Sequence, residues 1–496
     1  MCPSRESARM NAALLLLGGA PDATALIDAA GKVTYAELKR RVERAAAEWK
    51  RQGIGPGERC VIGLNDGIDW VVAFLGLIWM GGVPIAVSPR TEAALLKDLI
   101  TDSGAKSLLL EDATAVALAD SRAQGRLAWL LRLKMPATTV AAQQAEAESP
   151  AFWLYSSGTT GKPKGIIHPH RVVAHAHAFA REVLGATAED IFYSTSKMFF
   201  AYPLGNALFA GLRLGACVVL DEEWPNPQRV AQNIEKHRPT LFFSVPTLYR
   251  RLLEAGVAFP AVRCAVSAGE ACPPDVAEGW RRATGIQLFN GYGTTETLSL
   301  MLYCTTDLPG LKPTPLTIVR TESDEGSRDG ACRLWFSHPG VALGYSRVIT
   351  HDSARFGPNG FSPGDLFRSA GGGQPPTWKF AGRSDQLVKV FGRWVDTLAL
   401  EHDIGQRLQG HVREVCIVPQ GGEQEDVTAL HLFAIPGAEQ HIEVRCAIEA
   451  ALTEYPAYLK PRSIQLVSDF PRTETGKLRR GELIRLIRAG TSQATR

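Results

Sequence analysis

The 496-residue chain has no C-x-x-C pair and no cluster of histidine with cysteine, so no zinc site is written into it. Its nine cysteines (Cys2, Cys60, Cys217, Cys264, Cys272, Cys304, Cys332, Cys416 and Cys446) are scattered, which fits a reduced, cytoplasmic setting. An excess of one charge is also missing. A formal net charge of +3 is close to neutral for this length, so composition calls for no nucleic-acid and no membrane partner. Nor is there an unbroken apolar run long enough to trust as a span. Trp70 to Val87 is apolar over the shortest length that crosses a bilayer, but Gly81, Gly82 and Pro84 interrupt it, and it reads as a buried helix, a glycine stop and a strand. Asn11 to Ala20, a leucine run behind Arg5 and Arg9, mimics a weak signal peptide with a short apolar core. Internal repeats are absent.

What is present is the composition of a soluble globular protein, 45% hydrophobic and 21% charged, on a chain long enough for two or more domains. Thr34 and Glu37 form a capping box ahead of Leu38, Val42, Ala45, Ala46 and Trp49 at helical spacing, and "GIGPG" ends that helix. Strand-like pieces such as Cys60 to Leu64 and Lys106 to Leu110 alternate with helix-length segments, the pattern of a layered α/β fold. Ala137 to Pro150 reads as a surface connection. Three stretches repeat one local pattern of strand, polar or glycine-rich turn, and helix: "AFWLYSSGTTG", "VRCAVSAGEA" and "IQLFNGYGTTET". In open α/β sheets ligands sit beyond the carboxyl ends of strands, so the three turns are expected to converge on one cleft.

From Gly310 to Pro376 proline, glycine and serine rise, and a small β-rich unit is expected, with a strand at Cys332 to Ser337 and a loop at "AGGGQPP". Strands at Leu387 to Phe391 and Glu414 to Val418 and a helix near Ile442 to Leu452 then close the chain as a separate small domain.

The loop "YSSGTTGKPKG", Tyr155 to Gly165, offers free backbone N–H groups, hydroxyls and two lysines, which suits phosphate oxygens. It is not a Walker loop, because Gly158 and Gly161 are too close together and Pro163 follows Lys162 where Ser or Thr is required. The full string resembles the phosphate loop of the adenylate-forming enzymes: acyl- and aryl-CoA ligases, peptide-synthetase adenylation domains and luciferases. "NGYGTTE" (Asn290 to Glu296), "PGD" (Pro363 to Asp365), "GRSDQLVKVFGRWV" (Gly382 to Val395) and "PRTETGKLRR" (Pro471 to Arg480) follow in that family's order.

The resemblance implies a large layered αβαβα N-terminal domain over 1–384, with a small β-barrel-like subdomain, and a small mobile α+β C-terminal domain over 385–496. It implies ATP, Mg2+ and coenzyme A as cofactors or co-substrates. ATP contacts fall to Ser156, Ser157, Gly158, Thr159, Thr160, Gly161 and Lys164 in the loop and to Gly269, Glu270 and Ala271 after the second strand. They continue through Asn290, Gly291, Tyr292, Gly293 and Thr294, with Thr295 and Glu296 catalytic and Glu296 on the metal. Asp365 and Arg383 resemble the ribose and phosphate contacts, and Lys477 the lysine that bridges the acyl carboxylate and the α-phosphate. A cation there offsets the meeting of two anions at phosphorus. Taken singly, Glu296 reads equally as a solvated glutamate at a helix start and Lys477 as an exposed basic residue.

Asp385 stands at the implied hinge and Gly392 where a pantetheine thiol would pass, although a plain hairpin glycine reads the same locally. Phe199, Tyr202, Gly205, Ala268, Gly269 and Gly293 are the implied acid pocket; the aromatic pair reads equally as helix core. "SKMFFAYPLGNAL" and "SAGEA" are most similar to benzoate-CoA ligases, whereas "YGTTETLSLML" departs from them and leaves room for a substituted, bulkier or non-aromatic acid. The expected reaction converts a carboxylic acid and ATP to acyl-adenylate and pyrophosphate, then to the CoA thioester and AMP. The alternatives are loading of a carrier protein, with no fused carrier domain in view, and a non-catalytic acyl-nucleotide binding protein. A monomer or homodimer is expected.

Overall fold

The structure, a computed structural model, describes residues 9–112, 114, 137–157, 163–323, 330–346, 355–371, 375–383, 387–390, 393–421, 428–437, 441–472 and 478–485. Two compact units divide the chain. The larger takes Met1–Glu322, Leu334–Pro363 and Ser369–Lys379, and the smaller Ser323–Arg333, Gly364–Arg368 and Phe380–Arg496.

In the larger unit one sheet runs in the order Gly344–Tyr345, Pro163–Pro169, Pro150–Ser157, Val83–Ala86, Arg59–Gly63, Ser107–Leu110. The last four strands are parallel, and their near-continuous apolar sequence follows from burial on both faces. Helix Tyr35–Arg51 begins as its sequence dictates, with Thr34 Oγ1 accepting from Glu37 N at 3.2 Å. The Glu37 carboxylate turns instead to Arg41 one turn on. Trp49 Nε1 donates to Ala73 O at 3.1 Å and ties this helix to Ile68–Trp79. Trp70 to Val87 divides as expected, into that helix, a turn with Gly81 at a φ of +84°, and strand Val83–Ala86.

The leucine run near the start contributes Ala12, Ala13, Leu16 and Leu17 to the core. Asn11, only 1% exposed, caps helix Ala12–Leu16, and its Nδ2 donates to Ile78 O, Trp79 O and Gln143 O. Ala137 to Pro150 is a surface connection as expected, with no buried residue, and its Ala145–Glu146 pairs with Arg9–Met10.

A second sheet carries the parallel strands Thr24–Asp28, Cys217–Val219, Ile191–Ser194, Leu241–Ser244, Cys264–Ser267 and Leu288–Tyr292 in that spatial order. Register aligns Ser244 with Ser267 and Ser267 with Asn290, so these strands end at one level. Between the sheets packs an aromatic core, with Trp70 stacked on Phe74 at 4.8 Å and Phe152 set edge-on to Phe209 at 5.6 Å. Tyr249, Phe259 and Trp280 pack around Phe242 on the other side of the second sheet.

The expected β-rich stretch exists, and among the described residues its strands are not seen to close into a barrel. Leu308–Pro313 adds antiparallel to Leu302–Thr305 and meets Trp378, while Cys332–Ser337 pairs with Gly360–Phe361 and Asp365–Gly371. Ala370 and Gly371, read as loop, complete the strand Asp365–Gly371 instead. Further along the smaller unit, strands Val412–Gly421, Thr428–Pro436 and Ser463–Leu466 form a sheet. Helices Thr397–Arg407 and His441–Thr453 pack on it through Leu400, Ile404, Val444 and Ile448. Among the described residues no helix is long and apolar enough to cross a membrane.

Candidate active site

Two of the three turns expected to converge can be placed. Strand Cys264–Ser267 delivers Ala268 and Gly269, with Ala268 N donating to Ser244 O and Gly269 at a φ of +90° that favours glycine. Glu270 projects outward and accepts from Thr247 Oγ1 at 2.9 Å. Ala271 follows at the same edge. Strand Leu288–Tyr292 carries Asn290, Gly291 and Tyr292 to the same level, then Gly293, Thr294 and the 3-10 turn Thr295–Thr297 that holds Glu296. That turn packs against the hairpin of Pro150–Ser157 and Pro163–Pro169, whose connecting residues are the phosphate-type loop.

In the hairpin Ser156 faces Lys164 across the strands. Lys164 Nζ lies 5.1 Å from the centre of the Tyr345 ring, and Tyr345 Oη donates to Glu296 Oε1 at 2.8 Å. Glu296 is 8% exposed, and among the described residues no lysine or arginine nitrogen pairs with it. A buried carboxylate without a cationic partner, beside a loop rich in anion donors, fits a divalent cation shared with a polyphosphate. No group of three or more His, Cys, Asp or Glu that could hold a metal alone occurs among the described residues, so phosphate oxygens and water would complete the shell.

Glu296 owes its position to the residues after it. Leu298 sits at φ +56° and ψ −48°, strained for a side chain with a Cβ. Asn206 holds it there: its buried Nδ2 donates to Leu298 O at 3.2 Å and to Tyr202 O at 2.9 Å, and its Oδ1 accepts from Leu300 N at 3.3 Å. Gly205 lets the two segments approach, since a Cβ there would stand 2.6 Å from Leu298 O; one on Gly293 would stand 2.8 Å from Ser299 O. Asn206 lies in a π-helical stretch, Leu204–Phe209, where an ordinary helix is expected from the sequence. Such wide turns recur at functional sites. Asn206→Ala strands Leu298 O and Leu300 N in the interior. A loss of about 2 kcal/mol is expected, read as a lower denaturant midpoint; an unchanged midpoint would mean the backbone finds other partners.

Among the residues of the expected acid pocket, Tyr202 meets Phe243 edge-on, 6.4 Å between ring centres, and its hydroxyl donates to Val266 O at 2.8 Å. Burial holds this phenol well above its ordinary pKa, so it offers a ligand its ring as a neutral phenol. Phe199, 6% exposed, packs against Phe200 at 4.2 Å and Trp224 at 6.5 Å. Their wall is anchored by Lys197, whose Nζ donates to Asp221 O and Glu223 O at 2.6 Å, and by Asp66, which accepts from Met198 N. Burial pushes the Asp66 carboxyl up to about 7 and the Lys197 ammonium down.

Asp365 and Arg383 belong to the smaller unit, where Asp365 is buried at the start of its strand after Gly364 at φ +79°. Gly158, Thr159, Thr160, Gly161, Asp385, Gly392 and Lys477 lie outside the described residues; Ser157 closes its strand. Among the described neighbours in sequence, Arg472 bridges to Leu478 and Arg479 N donates to Pro471 O at 2.8 Å. Asn206, Tyr345 and Asp102 escaped the sequence reading. Only Tyr345 carried a signal, an aromatic within "VALGYS" directly after Gly344.

A cleft at the carboxyl ends of parallel strands, with a phosphate-type loop and one buried carboxylate, defines a nucleotide-using α/β enzyme. The chain matches the AMP-binding enzyme family over residues 17–346. It is 32% identical to the 3-hydroxybenzoate–CoA ligase of Aromatoleum sp. (strain CIB), over 98% of this chain and 99% of that one. It is 33% identical to the benzoate–CoA ligase of Thauera aromatica, over 94% and 93%. Among solved structures, the benzoate CoA ligase from Burkholderia xenovorans LB400 superposes with a TM-score of 0.82 at 28% identity, over 96% of this chain and 99% of that one. The chain therefore belongs to the AMP-binding enzyme family, and within it to the AMP-forming acid–thiol ligases that resemble benzoate-CoA ligase.

Proposed function

We propose that the protein is an aryl-CoA ligase, which joins an aromatic carboxylic acid to coenzyme A at the expense of ATP. The observation that carries this reading is the Glu296 site: a buried carboxylate, unpaired by any described cation, faces the phosphate-type hairpin on one side and the segment packed on the Tyr202 helix on the other. Glu296 would hold Mg2+, and the metal would supply positive charge beside the phosphates. Ser156, Ser157, Gly158, Thr159, Thr160, Gly161 and Lys164 hold the β- and γ-phosphates. Gly269, Glu270, Ala271 and the run Asn290 to Thr294 flank the adenosine and the α-phosphate, Thr295 supports the turn, and Asp365 and Arg383 take the ribose. The acid lies flat against Tyr202, Phe199 and Ala268, with its carboxylate toward Lys477. Asp385 is the hinge about which the smaller unit turns between half-reactions, and Gly392 lines the path of the pantetheine thiol.

Pyrophosphate release from ATP and Mg2+ is to be followed across benzoate, hydroxybenzoates, aminobenzoates and medium-chain fatty acids, with and without CoA. One aromatic acid should give a signal that CoA stimulates at least several-fold. Signal that only a carrier protein stimulates would replace CoA as the acceptor, and silence with every acid would return the chain to a non-catalytic nucleotide binder.

A further inference from the structure

We infer that Tyr345 is a positioning residue for the metal–nucleotide site, joining the loop lysine to the metal-binding carboxylate through one side chain. The inference rests on the assignment of Glu296 to Mg2+ made above. Tyr345 contributes at both ends: its hydroxyl donates to Glu296 Oε1 at 2.8 Å, and the Lys164 ammonium lies 5.1 Å from its ring centre. A hydrogen bond to one carboxylate oxygen fixes the rotamer and leaves the other oxygen for a cation. The ring face attracts the ammonium without neutralising it, so the lysine keeps its full charge for a phosphate.

The phenol is aimed by backbone that owes nothing to a ligand. Tyr345 pairs with Ile166 and Gly344 with Ile167 in an antiparallel ladder, and Leu343 N and Ser346 N donate to Ile167 O and Gly165 O at 2.8 Å. Ala342 N donates to Glu296 O at 2.7 Å, so the same short segment grips the main chain of the residue whose side chain it orients. Beyond it, Ser346 Oγ donates to Asp102 Oδ1 at 2.8 Å while Tyr155 Oη donates to Asp102 Oδ2 at 2.7 Å. Asp102 thereby fastens the segment to the strand that leads into the loop. Phe356, edge-on to the Tyr345 ring at 5.3 Å, keeps the ring from turning.

This arrangement makes the two halves of the site respond together. Removing the hydroxyl frees the carboxylate and weakens the metal; removing the ring also lets the lysine swing away. Tyr345→Phe and Tyr345→Leu separate the two effects. Mn2+, standing in for Mg2+, is titrated by electron paramagnetic resonance into full-length protein with a non-hydrolysable ATP analogue, and binding of the analogue alone is measured by calorimetry without metal. Tyr345→Phe is expected to weaken Mn2+ about tenfold, the usual cost of losing a partner that orients a ligand, and to leave metal-free binding of the analogue within about twofold. Tyr345→Leu should weaken both.

Wild-type Mn2+ affinity in Tyr345→Phe, at unchanged thermal stability, overturns the inference. Glu296→Gln tells which assumption failed. If that variant loses Mn2+ while Tyr345→Phe does not, the tyrosine is dispensable and the carboxylate assignment stands. If neither loses it, the carboxylate assignment is wrong as well.

Discussion

Lys477→Ala should slow acyl-adenylate formation by roughly a hundred- to a thousandfold, the range for loss of one preorganised donor at a developing charge. Thioester formation from a preformed aryl-adenylate and CoA should stay within a few-fold of wild type. The asymmetry follows from the chemistry of the two steps. In the first, a carboxylate must approach an α-phosphate, and the lysine offsets that repulsion only while its charge stands between them. In the second, a thiol attacks a carbonyl that carries its own leaving group, and no second anion has to be brought in. Truncation at Lys477 removes that charge and nothing of the substrate's other contacts. Single-turnover measurements of both steps decide it: equal losses would contradict a division of labour between them.

Acid should unfold this protein through its buried histidines. His168 is fully buried and stacked on Phe152 at 4.9 Å. Burial lowers its pKa to about 3, outweighing the Thr295 backbone, which favours the proton, while Arg171 opposes it, and burial lowers that of His170 to about 4. In an unfolded chain an imidazole takes a proton near pH 6.5. Between that value and the native one the unfolded chain binds more protons, so stability is complete above pH 6.5 and falls as pH falls. For His168 alone the loss at pH 4 is about 3 kcal/mol. His168→Phe keeps an aromatic on Phe152 and removes the titration. Its thermal midpoint should fall less steeply than wild type between pH 6.5 and 4, and identical slopes would assign the acid sensitivity elsewhere.

The parts of this architecture that could be read from sequence are those encoded by near neighbours. Thr34 caps the helix that its own next residues build, and Gly81 stops the one before it. The Gly293–Glu296 turn, strand Cys332–Ser337 and helix His441–Thr453 likewise follow from spacing and turn chemistry. What escaped depends on residues far apart in the chain. Asn206 acts on Leu298, Tyr345 on Glu296 and Asp102 on Ser346, and none of these pairs shares a helical turn or a hairpin that periodicity could expose. The tie of Asn11 has the same root: the carbonyls of Ile78, Trp79 and Gln143 that its amide meets lie far along the chain.

The seam between Asn206 and Leu298 also bears on how such an enzyme can change its diet. Gly205 and Asn206 press the helix that carries Tyr202 directly onto the backbone beyond Glu296, with no slack for a methyl group. Widening the slot by moving that helix would drag the carboxylate with it, so a variant selected for a bulkier acid by that route would also handle ATP worse. In the proposed slot, new substrates are more cheaply accommodated by trimming Phe199, which packs on Phe200 and Trp224. Selection for acid preference should therefore gather its substitutions around Phe199 and leave Gly205 and Asn206 untouched.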